Sequence, residues 1–487
     1  MSKVLRGVVL AAGIVALATP GLVALRADAE QRQSTETPQV TVVLGRPTDR
    51  SVTLNVLAAG DADAYVELET GPGSFVAGSA VTLLPAGAPA EIRLDGLEPD
   101  RAYGYRLRSR GAGTGDFEAG EEHSFHTARP PGASYHFDIE ADPHLDENTS
   151  PELLARTFRN ILSDRPDFLV DLGDTFMSEK LARTRDEVLA RHLLLRSVFE
   201  PTCSSVPLFL VLGNHEGESS GLLDGTGENI PVWATSFRKA YFPNPEPDNF
   251  YSGDGSDQPF VGRRQSIYSW EWGDALFVVL DPYWFTTIRG GQGSDDWSRT
   301  LGFEQYLWLR EVLARSEARF KIVFIHNLVG GLAGQMRGGT EAAPFYEWGG
   351  ENADGSWGFD AKRPGWGDPI HQLLVSAGVD IVFHGHDHLF ARQELDGIVY
   401  QEVPQPGWPG LTLRDPSEYG YLSGTFLPSS GHLRVTVSPA RLTVEYVRSY
   451  LAKDENDDRK SGDVGFCYSI EAFPNPRDRQ RLPRPTP

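Results

Sequence analysis

Cysteine and basic residues are scarce in this chain. Two cysteines in 487 residues, Cys203 and Cys467, are too few for a disulfide scaffold or a structural zinc site. In an oxidising compartment they could form one bridge, and two free thiols fit the sequence equally well. Lys and Arg number 45 against 67 Asp and Glu, for a formal net charge of −22. A surface this acidic repels phosphate backbones, and only the proline-rich tail at 477–484 gathers a small basic cluster, so binding to a nucleic-acid scaffold is not expected. After the first 29 residues no apolar run approaches the roughly 20 residues of a membrane span.

The N-terminus is the exception. Lys3 and Arg6 precede an apolar run over 8–25, and Ala27-Asp28-Ala29 follows, which is the pattern of a secretory signal peptide over 1–29. An uncleaved anchor would suit the run's length but not Pro20, Gly21 or the small-x-small site. With no twin-arginine pair and no cysteine at the cleavage site, the expected product is exported unfolded and then soluble. It would be periplasmic or extracellular, without stable membrane insertion. Cleavage removes Lys3, Arg6, Arg26 and Asp28, which takes the formal charge from −22 to −24.

Residues 38–127 alternate at period two in short runs separated by Gly and Pro, as in an all-β sandwich. The stretch 94–106 resembles the fibronectin type III signature, with Tyr103 as a corner tyrosine whose hydroxyl bonds to backbone. No catalytic cluster lies in this segment, so it reads as a packed lid or spacer, or as a carbohydrate- or surface-binding module. Residues 128–133, with Pro130-Pro131-Gly132, form a linker. A catalytic domain over 134–448 follows, then a C-terminal extension over 449–487 with a Pro/Arg-rich tail.

Within 134–448 apolar runs at 135–139, 168–172, 208–212, 322–325 and 379–383 read as buried strands. Helices alternate with them: Ser150-Pro151-Glu152 supplies a cap, a first-turn proline and an early acid, and another helical pattern covers 303–314. The alternation indicates an α/β architecture. Each apolar run is followed at once by a polar motif: Asp142-Pro143-His144, Gly173-Asp174, Gly213-Asn214-His215-Glu216, His326-Asn327 and Gly385-His386-Asp387-His388. Carboxyl ends of strands in open α/β sheets are where ligands bind.

Those residue types suit two metal ions about 3.5–4 Å apart, which need carboxylate oxygens, neutral imidazoles and a shared ligand. Asp174 is the natural shared carboxylate, with one oxygen for each ion. Asp142, His144 and His388 would complete one site, and Asn214, His326 and His386 the other. His215 follows a ligating Asn and is free to donate a proton. His384, His123, His126, His136, His192, His371 and His432 have no partner motif and read as packing, surface or supporting residues.

The ordered set D-x-H, G-D, G-N-H-E, H, G-H-x-H resembles the calcineurin-like metallophosphoesterase superfamily. The resemblance implies a fold of two facing mixed β-sheets flanked by helices, here preceded by the small all-β sandwich. It also implies in-line attack on phosphorus by a metal-bridging hydroxide, and a proton from His215 to the leaving group. The architecture is similar to that of purple acid phosphatases, whose G-D-x-x-Y tyrosine binds iron. In this chain Met177 holds the tyrosine position and His144 replaces a small residue, so no iron-tyrosinate centre is expected. Two divalent or trivalent ions, Fe, Zn or Mn, all suit the ligand set. The function implied is phosphomonoester hydrolysis. Phosphodiester hydrolysis of nucleotides or lipid headgroups at the same site is one alternative, and a non-enzymatic surface-binding protein is another. Two Gly-rich stretches, 217–262 and 328–368, read as functional or mobile loops; the second carries Arg337, Phe345, Tyr346, Trp348, Trp357, Phe359 and Trp366, which either line a leaving-group pocket or, for any single aromatic, simply pack the loop onto the core.

Overall fold

A computed structural model describes residues 39–287, 296–332 and 336–472. The signal-peptide segment and the basic tail lie outside the described residues.

Two large sheets face one another. The first has nine strands, ordered Val464–Glu471, Arg441–Arg448, Gly431–Val437, Tyr135–Glu140, Leu169–Asp171, Leu208–Leu210, Val40–Gly45, Ser51–Ala58 and Ala90–Asp95. Its three central strands, Tyr135–Glu140, Leu169–Asp171 and Leu208–Leu210, run parallel. The second has eight strands, among which Ala275–Val279, Phe320–Phe324 and Ile381–His384 are parallel neighbours. Between the sheets lies an aromatic-rich core with Phe137, Phe168, Trp270, Phe277, Phe324 and Phe383. Burying large rings on both inner faces is the main stabilising term for such a stack.

Helices cover the outer faces. Pro151–Asp164 begins where Ser150 Oγ accepts the Leu153 N–H, with Pro151 in the first turn. Arg185–Cys203 begins at a reciprocal capping box of Thr184 and Glu187. Both pack Leu154, Phe158, Leu195 and Phe199 under the nine-stranded sheet. Phe303–Arg315 and Ile370–Ala377 cover the eight-stranded sheet. Among the described residues no helix is long and apolar enough to cross a membrane.

The N-terminal segment is a β-sandwich whose layers share the buried Val52, Leu54, Val66, Tyr105 and Phe125. The Glu98 N–H donates to Tyr103 Oη at 2.8 Å, the backbone bond expected of a corner tyrosine. One layer of this sandwich is the edge of the nine-stranded sheet itself, where Gly45 pairs in parallel with Leu208. Buried Arg196 pins the junction by donating to Asn55 Oδ1 and Asn55 O at 2.8 and 2.7 Å. The strand that leads to Asn214 therefore also anchors the sandwich.

Both cysteines are free, Cys203 buried and Cys467 exposed on the edge strand. In the stretch 328–368 the structure decides between the two roles for four of the aromatics. Tyr346, Trp348, Phe359 and Trp366 are buried in the core under the eight-stranded sheet, so they pack the loop down and do not line a pocket.

Candidate metal centre

All five motifs meet where the carboxyl ends of the two sheets come together. The nine-stranded sheet brings Asp142, His144, Asp174, Asn214 and His215, and the eight-stranded sheet brings His326, His386 and His388. Asp142, His144 and His388 place their ligand atoms within 4.8 Å of one another, and Asp174, His326 and His386 do the same. Each group collects residues that the sequence reading assigns to one ion, with Asp174 beside the second pair of histidines.

Separations within the cluster are those of ligands around a cation. His388 Nε2 lies 3.3 Å and His144 Nε2 3.6 Å from Asp142 Oδ1. His326 Nε2 lies 3.3 Å from Asp174 Oδ2. Charged hydrogen bonds would close to about 2.7–2.9 Å, whereas two ligands each about 2.1 Å from one tetrahedral ion are about 3.4 Å apart. Asp142 Oδ1, His144 Nε2, Asn214 Oδ1, His326 Nε2 and His386 Nδ1 are all buried without a hydrogen-bond partner. Buried polar atoms left without partners are costly, and a pair of cations would satisfy this set. The residues present fit a binuclear centre.

Charge leads to the same conclusion. Burial pulls the His144 imidazole down, but the Asp142, Asp146 and Asp174 carboxylates outweigh it and hold it up at about 11. His326 is likewise held at about 10 by Asp174 and Asp142 against its burial. Burial and the neighbouring cationic His326 push His386 down, and burial lowers His388 despite the Asp142 carboxylate. Without metal the cluster therefore gathers protons, and cations would displace them.

One oxygen of Asp174 faces both groups. Its Oδ2 is 3.3 Å from His326 Nε2 and 3.8 Å from His144 Nε2, while Oδ1 accepts the His215 N–H at 2.8 Å. The sequence reading placed one oxygen on each ion, and the backbone N–H that occupies Oδ1 explains the difference. In the same way, Asp142 Oδ2 accepts the His386 N–H at 2.9 Å, which frees Oδ1.

The backbone is strained at these positions. Asp142, His144, Asp174, His386 and His388 have φ of 60°, 52°, 55°, 84° and 60°, a left-handed conformation that costs non-glycine residues on the order of 1–3 kcal/mol each. Such strain persists only where surrounding contacts impose it. Gly173 and Gly213 permit the closest of those contacts, since a Cβ at 173 would sit 2.3 Å from the Gly213 nitrogen.

Several supporting contacts are visible only in the structure. Glu216 lies inside a quoted motif, but only the structure shows its job. Its Oε2 accepts the N–H groups of Gly213 and Asp174, and its Oε1 those of Thr175 and Phe176. Burial and the Asp174 charge raise this carboxyl to about 7, opposed by His326 and the N–H groups. Both oxygens accept and neither donates, which is the pattern of a carboxylate. Asp146 faces His144 Nδ1 at 3.4 Å, and the Leu172 carbonyl lies 2.8 Å from His326 Nδ1. His384 Nδ1 pairs with Glu402 at 2.7 Å behind the centre. His432, read as packing, sits buried beside Asp138 and Asp164, remote in sequence from every motif.

His215 is at the rim, its ring 6.4 Å from that of His144. Nδ1 bonds to Glu179 Oε2 at 3.0 Å, leaving Nε2 free. Burial lowers its pKa, but the Asp174 and Glu179 charges outweigh that and raise it above the ordinary value.

Comparison with known proteins agrees. No curated protein sequence matches the chain. Its fold is similar to that of PhoD, at 16% identity and a TM-score of 0.63, covering 90% of both chains. It is also similar to purple acid phosphatase PPD1 from yellow lupin (Lupinus luteus) seeds, at 18% identity and a TM-score of 0.59, covering 91% of this chain and 76% of that one. The family model described as calcineurin-like phosphoesterase matches residues 135–390. That match spans all five motifs and more than half of the sequence, and the chain belongs to the calcineurin-like phosphoesterase family of metal-dependent phosphoester hydrolases.

Proposed function

We propose that this protein is an exported phosphatase that hydrolyses phosphomonoesters at a binuclear centre held by Asp142, His144, His388, Asp174, Asn214, His326 and His386. The observation that carries the reading is the convergence of five buried, partnerless ligand-type atoms from both sheets. Bound there, two transition-metal ions supply Lewis acidity toward the phosphoryl oxygens and an activated water. Iron, zinc and manganese all suit these ligands.

His215 performs the proton step. With Nδ1–H directed at Glu179, the cationic ring presents Nε2–H to the leaving oxygen. As the P–O ester bond breaks, that proton passes to the departing alkoxide. The raised pKa keeps the ring protonated closer to neutral pH. We further propose that residues 38–127 act as a rigid fibronectin type III-like spacer, and that the apolar N-terminal segment directs export to the periplasm or beyond.

The test is a substrate panel on metal-reconstituted protein, with aryl and alkyl phosphomonoesters set against matched diesters. Higher kcat/KM for monoesters is expected. Preference for diesters would transfer the function to a phosphodiesterase, and no turnover of either class would overturn the enzymatic reading. Recovery of the mature protein from the cytoplasm alone would refute export.

A further inference from the structure

A second cluster of ligand-type side chains lies on the face of the nine-stranded sheet that is turned away from the inter-sheet core. Phe137, Ile139, Leu433 and Val435 point into that core, so the alternate residues Asp138 and His432 face the helix Pro151–Asp164. Both are fully buried, and Asp164, the last residue of the helix, meets them with its side chain 14% exposed. The ligand atoms of the three lie within 4.8 Å of one another. Asp138 stands four residues before Asp142, about 13 Å along an extended chain, which sets this cluster apart from the binuclear centre.

Partners are unevenly shared within it. His432 Nε2 lies 3.0 Å from Asp164 Oδ2 and 3.5 Å from Asp138 Oδ2. The Asp164 carbonyl lies 2.7 Å from His136 Nε2, which fixes the helix end. Arg434 donates to Asp164 Oδ1 and to Glu445 Oε2, at 2.8 and 2.9 Å. Neither oxygen of Asp138 has a hydrogen-bond partner among the described residues, and a buried carboxylate left in that state is costly. Burial and the Asp164 charge push the Asp138 carboxyl well above the usual range, against the pull of Arg434, as expected where a counterion is wanting. Three carboxylates, those of Asp138, Asp164 and Glu445, share one guanidinium there. A cation beside His432 Nε2 would serve Asp138 and Asp164 at once.

We propose that Asp138, Asp164 and His432 bind a third, exchangeable metal ion of the zinc class, apart from the binuclear centre, which clips the end of helix Pro151–Asp164 to the sheet. Separations of 3.0 and 3.5 Å bracket the roughly 3.3–3.4 Å between ligands about 2.0–2.1 Å from a tetrahedral ion. The imidazole selects against calcium and magnesium, which take oxygen ligands. Three protein ligands leave the fourth position to water, reached past the partly exposed Asp164. That opening and the small ligand count make this ion exchangeable, whereas the binuclear centre, with more ligands, keeps its pair. Arg434 is a positioning residue: by holding Oδ1 of Asp164 it leaves Oδ2 to the site.

The test takes wild type, Asp138→Asn and Asp164→Asn, each dialysed to constant metal content, and titrates them with Zn²⁺ by calorimetry. The wild type should bind one further ion per chain. Loss of a supporting contact alone typically costs 10–100-fold in metal affinity, so removing a ligand carboxylate should weaken the added ion by about 100-fold or more. The ions retained through dialysis and the rate of phosphoester hydrolysis should stay as in the wild type. In zinc-soaked crystals of the wild type, anomalous difference density should appear between Asp138, Asp164 and His432, a readout that does not depend on any variant folding. No further ion in the wild type, unchanged affinity for it in both variants, or zinc density elsewhere with none at this cluster would each overturn the proposal. None of these readouts uses an ester, so they stand whether or not the phosphatase reading does.

Discussion

Replacing Glu216 with glutamine changes one atom of the side chain, and the structure predicts that it is nearly as damaging as alanine. Each carboxylate oxygen accepts two backbone N–H groups, Gly213 and Asp174 on Oε2, Thr175 and Phe176 on Oε1. Whichever way the amide is turned, its NH₂ faces two buried donors. At about 1–3 kcal/mol for each unsatisfied group, the loss is about 2–6 kcal/mol, concentrated in the two loops that carry Asp174 and Asn214. Unfolding entropy grows with length, so a chain of this size shifts its midpoint by only about 1 °C per kcal/mol. A thermal melt is therefore the wrong assay. Chelator competition reads the loops directly, and supporting contacts of this kind are typically worth 10–100-fold in metal affinity. Both Glu216→Gln and Glu216→Ala should lose that much. A glutamine variant with wild-type metal affinity would refute the clamp.

His215→Ala should keep its metals and lose about 10²–10⁴-fold in kcat on alkyl phosphates, with a clearly smaller loss on aryl phosphates whose leaving groups need no proton; equal losses would remove the acid role. Glu179→Gln deletes one of the charges that raise His215, so the alkaline fall in alkyl phosphate turnover should begin at lower pH, and an unmoved profile would contradict the pairing. Metal binding at pH 8 should release about two protons, because His144 and His326 sit at about 11 and about 10 without metal. Both are raised above their unfolded value near 6.5, so their contribution to apo-protein stability is complete below that pH and is lost as pH rises toward 10–11. Metal affinity read by chelator competition should therefore rise from pH 6 to 9 as protons compete less for the ligands, and calorimetry showing no proton release would contradict the charge account. An iron-loaded preparation should lack strong visible tyrosinate absorption, because Met177 holds the tyrosine position; a purple protein would mean that another tyrosine had reached the metal.

The motifs were legible because each follows an apolar strand directly, so one-dimensional order already placed them at one sheet edge. Strand ends at Glu140, Asp171, Leu210, Phe324 and His384 fall where the periodicity put them, within two residues. Helix starts at Pro151 and Phe303 were readable from capping and spacing. What the sequence could not supply was long-range pairing. Nothing in 38–127 signals that Gly45 would join Leu208 and extend the central sheet. The sequence leaves open whether the aromatics of 328–368 pack the core or line a pocket, because a buried ring and a pocket ring look alike without the sheet beneath them.

Metal analysis of the purified wild type and Asp174→Ala tests the central claim most directly. Asp174 Oδ2 faces both ligand groups, so the wild type should hold about two transition-metal ions per chain and the variant should lose occupancy at both sites together with its phosphoester hydrolysis. Full occupancy of both sites in Asp174→Ala, or a wild type that binds no second ion, would contradict the binuclear centre.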